Sequence, residues 1–236
     1  SRRMTEKDST TDSAAIEAAL RLMAPIISHE IRNPLAVIGN SAYFVKSKLE
    51  ILKVSDPKVV KHLSHIETEL RHANDVLEDM LLYARMKEPV LSATPLMSVV
   101  SDALGELPVP ANVKLENKVN AKAPSAMVDP ELAMRSVRHL VRNALEAAGA
   151  TASGLVKVEA ATGKANAVTV TVTDTGTGFP REMDGRLFIP FQTTKPRGIG
   201  LGLAYVRKTA ERMGGKVESS APGTPKAWVR LTWKGA

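Results

Sequence analysis

A single apolar seam through the first quarter of the chain limits what it can fold into. Apolar residues fall at Ile16, Leu20, Met23, Ile27, Ile31, Leu35, Ile38, Ala42, Val45, Leu49 and Leu52. Their spacing alternates four and three, except for consecutive fours around residue 29. A heptad-like seam with a local stutter predicts a long helix starting near Ser13, on the order of 60 Å for about forty residues. Residues 1–12, rich in Ser, Thr and charge, read as a frayed lead-in. Ser55-Asp56-Pro57 predicts a turn, because Asp before Pro favours one and Pro suits the first position of the next helix. The second helix repeats the pattern at Val59, Leu63, Ile66, Leu70, Ala73, Leu77, Met80 and Ala84, and Glu88-Pro89 is expected to end it. Two helices cannot bury such seams alone. The expectation is a hairpin over 13–88 that dimerises into a four-helix bundle.

After residue 89 the period changes. Leu96–Leu107 reads as a helix, Val113–Val119 as a strand, and Asp129-Pro130 starts a helix that Gly149 stops. Leu155–Ala161 and Val168–Thr173 read as strands, the latter a strict Val-Thr alternation. A glycine-rich region follows, then a helix from about Leu201 to Met213 and a hairpin of Lys216–Ser220 with Ala227–Trp233. The expected fold class is therefore α plus α/β, with residues 89–236 forming an α/β sandwich whose mixed sheet is covered by helices.

Charge narrows the function. The net +7 lies wholly in the second half: residues 1–88 carry 13 basic and 13 acidic side chains, the remainder 19 and 12. The basic residues are scattered and not interleaved with aromatics, which argues against nucleic acid and suits a polyphosphate ligand at least as well. No apolar run of about 18 residues occurs, so no membrane contact is expected of this stretch. Absent cysteines exclude disulfides and thiolate metal sites and fit a cytoplasmic setting. The chain begins Ser-Arg-Arg and is read as a fragment of a longer protein, soluble or membrane-anchored.

One histidine stands out. His29 lies two residues from Ile27 and two from Ile31, about 200° and 160° around the helix from the seam, and so should point outward. Arg32 and Asn33 share its face at i+3 and i+4, and Glu30 adjoins it. Pro25 and Pro34 flank it, and Pro34 should kink the helix one turn beyond. An exposed histidine between two weak points is placed to meet another domain, although a lone surface histidine ordinarily means nothing more. His62, His65 and His72 on the second helix illustrate that ordinary case, and an i, i+3 pair without further ligands is weak evidence for a metal.

Ser28-His29-Glu30-Ile31-Arg32-Asn33-Pro34-Leu35 resembles the phosphoacceptor box of two-component sensor histidine kinases. The second half resembles their catalytic domain, box by box and in order. His139-Leu-Val-Arg-Asn143-Ala144 is similar to the N box, and Asp174-Thr-Gly176-Thr-Gly178-Phe-Pro to the first glycine box. Leu187 to Lys195 is similar to the F box, and Gly198-Ile-Gly200-Leu-Gly202-Leu203 to the second glycine box. One box alone is weak; five in order are strong. The resemblance implies a Bergerat-type ATP-binding fold, autophosphorylation of His29 by ATP with Mg2+, a homodimer, and transfer to an aspartate of a response regulator. It implies that Asn143 holds the magnesium and that Asp174 accepts a hydrogen bond from the adenine amino group. Gly176 and Gly178 would turn under the nucleotide. Gly198, Gly200, Gly202 and Leu203 would open a helix toward the phosphates, with Lys195 and Arg197 in a short lid before it. Phe188 and Phe191 are expected to anchor that lid by packing. Glu30 would be the base for His29, and Glu30-x-x-Asn33 resembles the phosphatase motif of the class.

Two positions depart from the pattern. His139 stands where many members carry Asn, and Glu146 where many carry Lys, as in the subgroup resembling nitrogen-regulatory kinases. Their roles stay open at this point. ATPases of the same fold, such as mismatch-repair proteins and type II topoisomerases, carry a water-activating glutamate at the position His139 occupies. A non-enzymatic relay would not need the glycine boxes.

Overall fold

A computed structural model of the chain describes residues 6–105, 107–195 and 198–236, with side chains from residue 18 onward. It divides into two compact units, residues 1–86 and 87–236, each described by itself below.

The first unit is a helical hairpin. Helix α1 spans Glu6–Ile51 and α2 spans Pro57–Ala84. Helix α1 thus begins some seven residues before the expected start at Ser13. Once a helix is nucleated, each added residue costs little, so a polar extension without helix breakers can join it. The helix also continues through Pro25 and Pro34 without interruption. Asp56 caps α2, its Oδ1 accepting from the N–H groups of Lys58 (2.8 Å) and Val59 (3.4 Å), with Pro57 at the first helical position. Helix α2 ends at Ala84, four residues before the expected stop at Glu88. Inside the hairpin, Ala24, Ser28, Ala42, Leu63 and Leu77 are buried, and Lys46 and Glu67 pair across it at 2.9 Å. Much of the seam is not covered: Met23, Ile31, Ile38 and Val45 on α1, and Val59 and Ile66 on α2, remain exposed.

The second unit is a two-layer sandwich. Its five-stranded sheet has the order β2 (Val113–Asn117), β4 (Gly154–Thr162), β5 (Ala167–Asp174), β7 (Trp228–Lys234), β6 (Lys216–Ser219). Only β2 and β4 are parallel; the other neighbours are antiparallel. Helices α3 (Leu96–Leu104), α4 (Pro130–Gly149) and α5 (Gly202–Arg212) close one core against it, around Trp233, Leu231, Val156, Val158, Val137 and Val206. On β5 the alternation decides the faces. Val168, Val170 and Val172 are buried, the intervening threonines are not, and Asp174 continues the buried register.

A second sheet pairs β1 (Ser92–Pro95) with β3 (Ser125–Val128) and escapes sequence reading. Each is four residues of Ser, Ala, Thr, Pro, Met or Val with no extended alternation, and the pairing is non-local. Asp129 next to β3 has two functions. Its Oδ1 caps α4 by accepting from Leu132 N–H (3.0 Å), and its Oδ2 accepts from Val90 N–H (3.0 Å). Among the described residues no helix is long and apolar enough to cross a membrane.

Candidate active site

On the hairpin, the buried small residues Ala24 and Ser28 fix which side of α1 faces α2. His29, one step further round, is 74% exposed, with Nδ1 3.4 Å from Oε1 of the equally open Glu30. Asn33 is exposed one turn later, as is Arg32. The helix therefore presents an imidazole, a carboxylate that can hold its Nδ1–H, and an amide. His62 and His65 are exposed with rings edge-to-face at 6.2 Å, and no group of three metal-ligating side chains occurs among the described residues.

In the second unit α4 separates its faces cleanly. Ala133, Val137, Leu140, Val141, Ala144 and Ala148 enter the core, which leaves His139, Asn143 and Glu146 on the opposite, open side. Lys195 meets this stripe from the loop before α5. Its Nζ donates to Asn143 Oδ1 and, at 2.5 Å, to Glu146 Oε2. Arg197 of the same loop lies outside the described residues.

Asp174 is 5% exposed at the end of β5. Its Oδ1 accepts from Gly176 N–H at 2.8 Å, which holds the carboxylate in a tight turn. Burial raises its carboxyl pKa, against the opposing pull of that N–H and of the Lys195 charge. Gly176 has no room for a side chain. A Cβ there would stand 2.8 Å from the Ala147 backbone and 2.8 Å from Asp174 Oδ1. The first glycine box thus rests directly on α4, one residue past Glu146. Gly178 adopts φ +77°, and a Cβ would collide with Thr224 O. The turn before β7 therefore packs on this loop, a contact that no local sequence signal announces.

Gly200, at φ +72°, comes so close to the Gln192 backbone that a Cβ would lie 2.6 Å from its carbonyl oxygen. Its own carbonyl accepts from Phe191 N–H at 3.1 Å, tying the F box to the second glycine box. Phe188 packs against the core as expected. Phe191 does not: it is 41% exposed in the left-handed region at φ +62°, because the turn it makes toward Gly200 swings its ring out of the core. Gly198 has its N–H on Lys195 O (3.2 Å), and Gly202 opens α5 with Leu203 packed on the core. A Cβ on Gly202 would sit 3.5 Å from His139 Nδ1, so the N box and the second glycine box meet at the start of α5. His139 Nδ1 is also 3.2 Å from the Arg142 guanidinium, and its ring lies 5.0 Å from that of Tyr205. Tyr205 was not singled out from sequence, yet it stands three residues past Gly202 and so on the same face of α5. Burial pushes its hydroxyl up to about 12.

Residues 19–89 match the His Kinase A (phospho-acceptor) domain, and residues 128–234 match the histidine kinase-, DNA gyrase B- and HSP90-like ATPase family. The chain belongs to the sensor histidine kinases. It is 31% identical to the nitrogen regulation protein NtrY of Azorhizobium caulinodans over 94% of this chain and 30% of that protein. It is 29% identical to the sensor histidine kinase ZraS of Escherichia coli over 85% of this chain and 42% of that one. This kinase chain thus spans less than half the length of these relatives. Among solved structures, full-length ShkA in complex with AMPPNP superposes with a TM-score of 0.69 at 23% identity, over 91% of this chain and 46% of that one. Histidine kinase ThkA in complex with response regulator protein TrrA gives 0.63 at 21% identity, over all of this chain and 68% of that one. Both share its fold: a helical hairpin followed by a mixed-sheet α/β domain.

Proposed function

We propose that this chain is the core of an ATP-dependent protein-histidine kinase that phosphorylates His29 and passes the group to an aspartate of a response regulator. The observation that carries the reading is the buried Asp174 carboxylate, set in the Gly176 turn against the helix that bears Asn143. That arrangement suits an adenine amino group at the carboxylate and a phosphate chain running toward α4 and the start of α5.

In the reaction, Nε2 of the neutral His29 ring attacks the γ-phosphorus of ATP in line with the bridging oxygen. The new N–P bond forms as the P–O bond to ADP breaks. Glu30, whose Oε1 faces Nδ1, orients the ring and takes its proton as positive charge develops there. Asp174 selects the base, and Gly176, Gly178, Gly198, Gly200 and Gly202 let backbone approach the nucleotide without side chains intervening. The start of α5 offers amide N–H groups to phosphate oxygens. The residues fit a hard divalent cation: Asn143 Oδ1 and a Glu146 carboxylate oxygen already converge on one ammonium. Asn143 would hold Mg2+, which when bound neutralises phosphate charge and polarises the phosphorus.

The exposed Met23, Ile31, Ile38, Val45, Val59 and Ile66 support a homodimer in which two hairpins form a four-helix bundle. The exposed Asn33, one turn from His29, supports a second activity. It would orient water toward the phosphoaspartate of the regulator, so the hairpin would also help remove phosphate. The domain limits proposed are 13–88 for the phosphotransfer hairpin and 89–236 for the ATP-binding unit. Incubation with γ-labelled ATP tests the reading. Label on the protein that is acid-labile and base-stable is expected, whereas released phosphate without a phosphoprotein would point to a plain ATPase of the same fold.

A further inference from the structure

The contact between Lys195 and α4 has an ordinary reading as a surface ion pair, since Lys195 is 42% and Glu146 53% exposed. Two features go beyond that. The ammonium does not meet Glu146 alone: it lies between Glu146 Oε2 and Asn143 Oδ1. These are two oxygens from residues three apart on one helix face, so they converge because the helix brings them together. The residue from which a magnesium ligand is expected therefore shares its cation with the position that departs from the family pattern.

We infer that Asn143 and Glu146 form a two-oxygen seat for the nucleotide's divalent cation, and that Lys195 fills this seat until the cation takes it. The inference rests on the ATP-binding reading above and assigns a role to Glu146. An ammonium nitrogen at 2.5 Å from a carboxylate oxygen marks a point that a harder cation, with ligands at about 2.0–2.1 Å, can use with little movement of α4. Two protein oxygens leave the remaining coordination positions for water and phosphate oxygens, the arrangement such cations favour. The ammonium and the cation cannot occupy one point together. Cation entry therefore releases Lys195, whose positive charge becomes available to the nucleotide's phosphates. Glutamate at this position and a lid lysine that can leave it act as a pair.

Calorimetry with AMPPNP checks this, comparing affinity at saturating Mg2+ with affinity in EDTA for the unmodified chain, E146Q and K195M. Coupling between two ligands typically spans about 5- to 150-fold. If Glu146 is a ligand, E146Q loses about tenfold of that Mg2+ dependence, while its affinity in EDTA holds or improves because a negative charge has left the phosphate site. K195M is expected to weaken binding in EDTA and to keep or enlarge the Mg2+ dependence. Equal Mg2+ dependence in E146Q and the unmodified chain overturns the inference. So does an identical change in E146Q and K195M, which would reduce Glu146 to the lysine's ion-pair partner. Failure of the unmodified chain to bind AMPPNP in either condition would instead refute the ATP-binding reading itself.

Discussion

Asp174→Asn probes the proposed nucleotide site with almost no change of shape. The carboxylate spends Oδ1 on Gly176 N–H at 2.8 Å, which leaves its second oxygen to accept from a ligand. An asparagine has one acceptor oxygen for these two tasks, and its amide nitrogen would face a donor. The loss is that of one hydrogen bond to a charged group, about 1.5–3 kcal/mol, or roughly 10- to 150-fold in dissociation constant. Stability should move the other way. Burial raises the folded-state pKa of this group above its unfolded value. A shift of that sign contributes stability that is fully present below the unfolded pKa and is lost as pH rises through the folded one. At neutral pH the buried charge is therefore a cost to the nucleotide-free protein, and the amide removes it. The assay is calorimetry with ADP alongside thermal melting. Weaker ADP binding with an unchanged or higher Tm is expected. The fall in ADP affinity as pH drops through the raised carboxyl pKa should be present in the unmodified chain and absent in D174N. A folded D174N that binds ADP with full affinity and the same pH dependence would refute the assignment.

Three further outcomes follow from the geometry. His29→Ala should abolish acid-labile labelling from γ-labelled ATP while AMPPNP binding, read by calorimetry, stays unchanged. Asn33→Ala should spare autophosphorylation and slow dephosphorylation of the cognate regulator by about 10²-fold, the scale of a lost water-positioning group, as measured by phosphoregulator lifetime. Gly200→Ala forces a side chain into the left-handed region and against the Gln192 backbone. The conformational part alone costs about 1–2 kcal/mol, so the melting temperature of the second unit should fall by roughly 2–8 °C.

What could be read from sequence, and what could not, follows from the range of the interactions. The hairpin, α4 and the inner strands were legible because their signals are local. Asp56-Pro57 and Asp129-Pro130 cap helices within a few residues, and the Val-Thr alternation of β5 states its own faces. The sheet of β1 and β3 was not legible, since Ser92 pairs with Val128 across an intervening helix and strand. The same holds for the meeting of Lys195 with Asn143 and Glu146, whose partners lie about fifty residues apart. It holds again for the collision that makes Gly178 necessary, which comes from Thr224. Phe191 shows the opposite error. Aromatic character suggested packing, but the backbone geometry needed to reach Gly200 overrides side-chain hydrophobicity at that position.

The strand alternation that builds the core also accounts for the chemistry at its end. Val168, Val170 and Val172 face inward because the helices cover that side of the sheet, and a period of two puts residue 174 on the same side. An acid at that register is buried whether or not it has a function, and burial raises its pKa. The Gly176 N–H and the distant charge of Lys195 oppose that shift without cancelling it. A one-residue slip of β5 against β4 or β7 would turn Asp174 to the polar face and three valines with it. The packing energy of those valines therefore fixes the register of the Asp174 carboxylate. Mutations that weaken this face, such as Val172→Thr, should loosen nucleotide recognition through the strand, without touching the nucleotide.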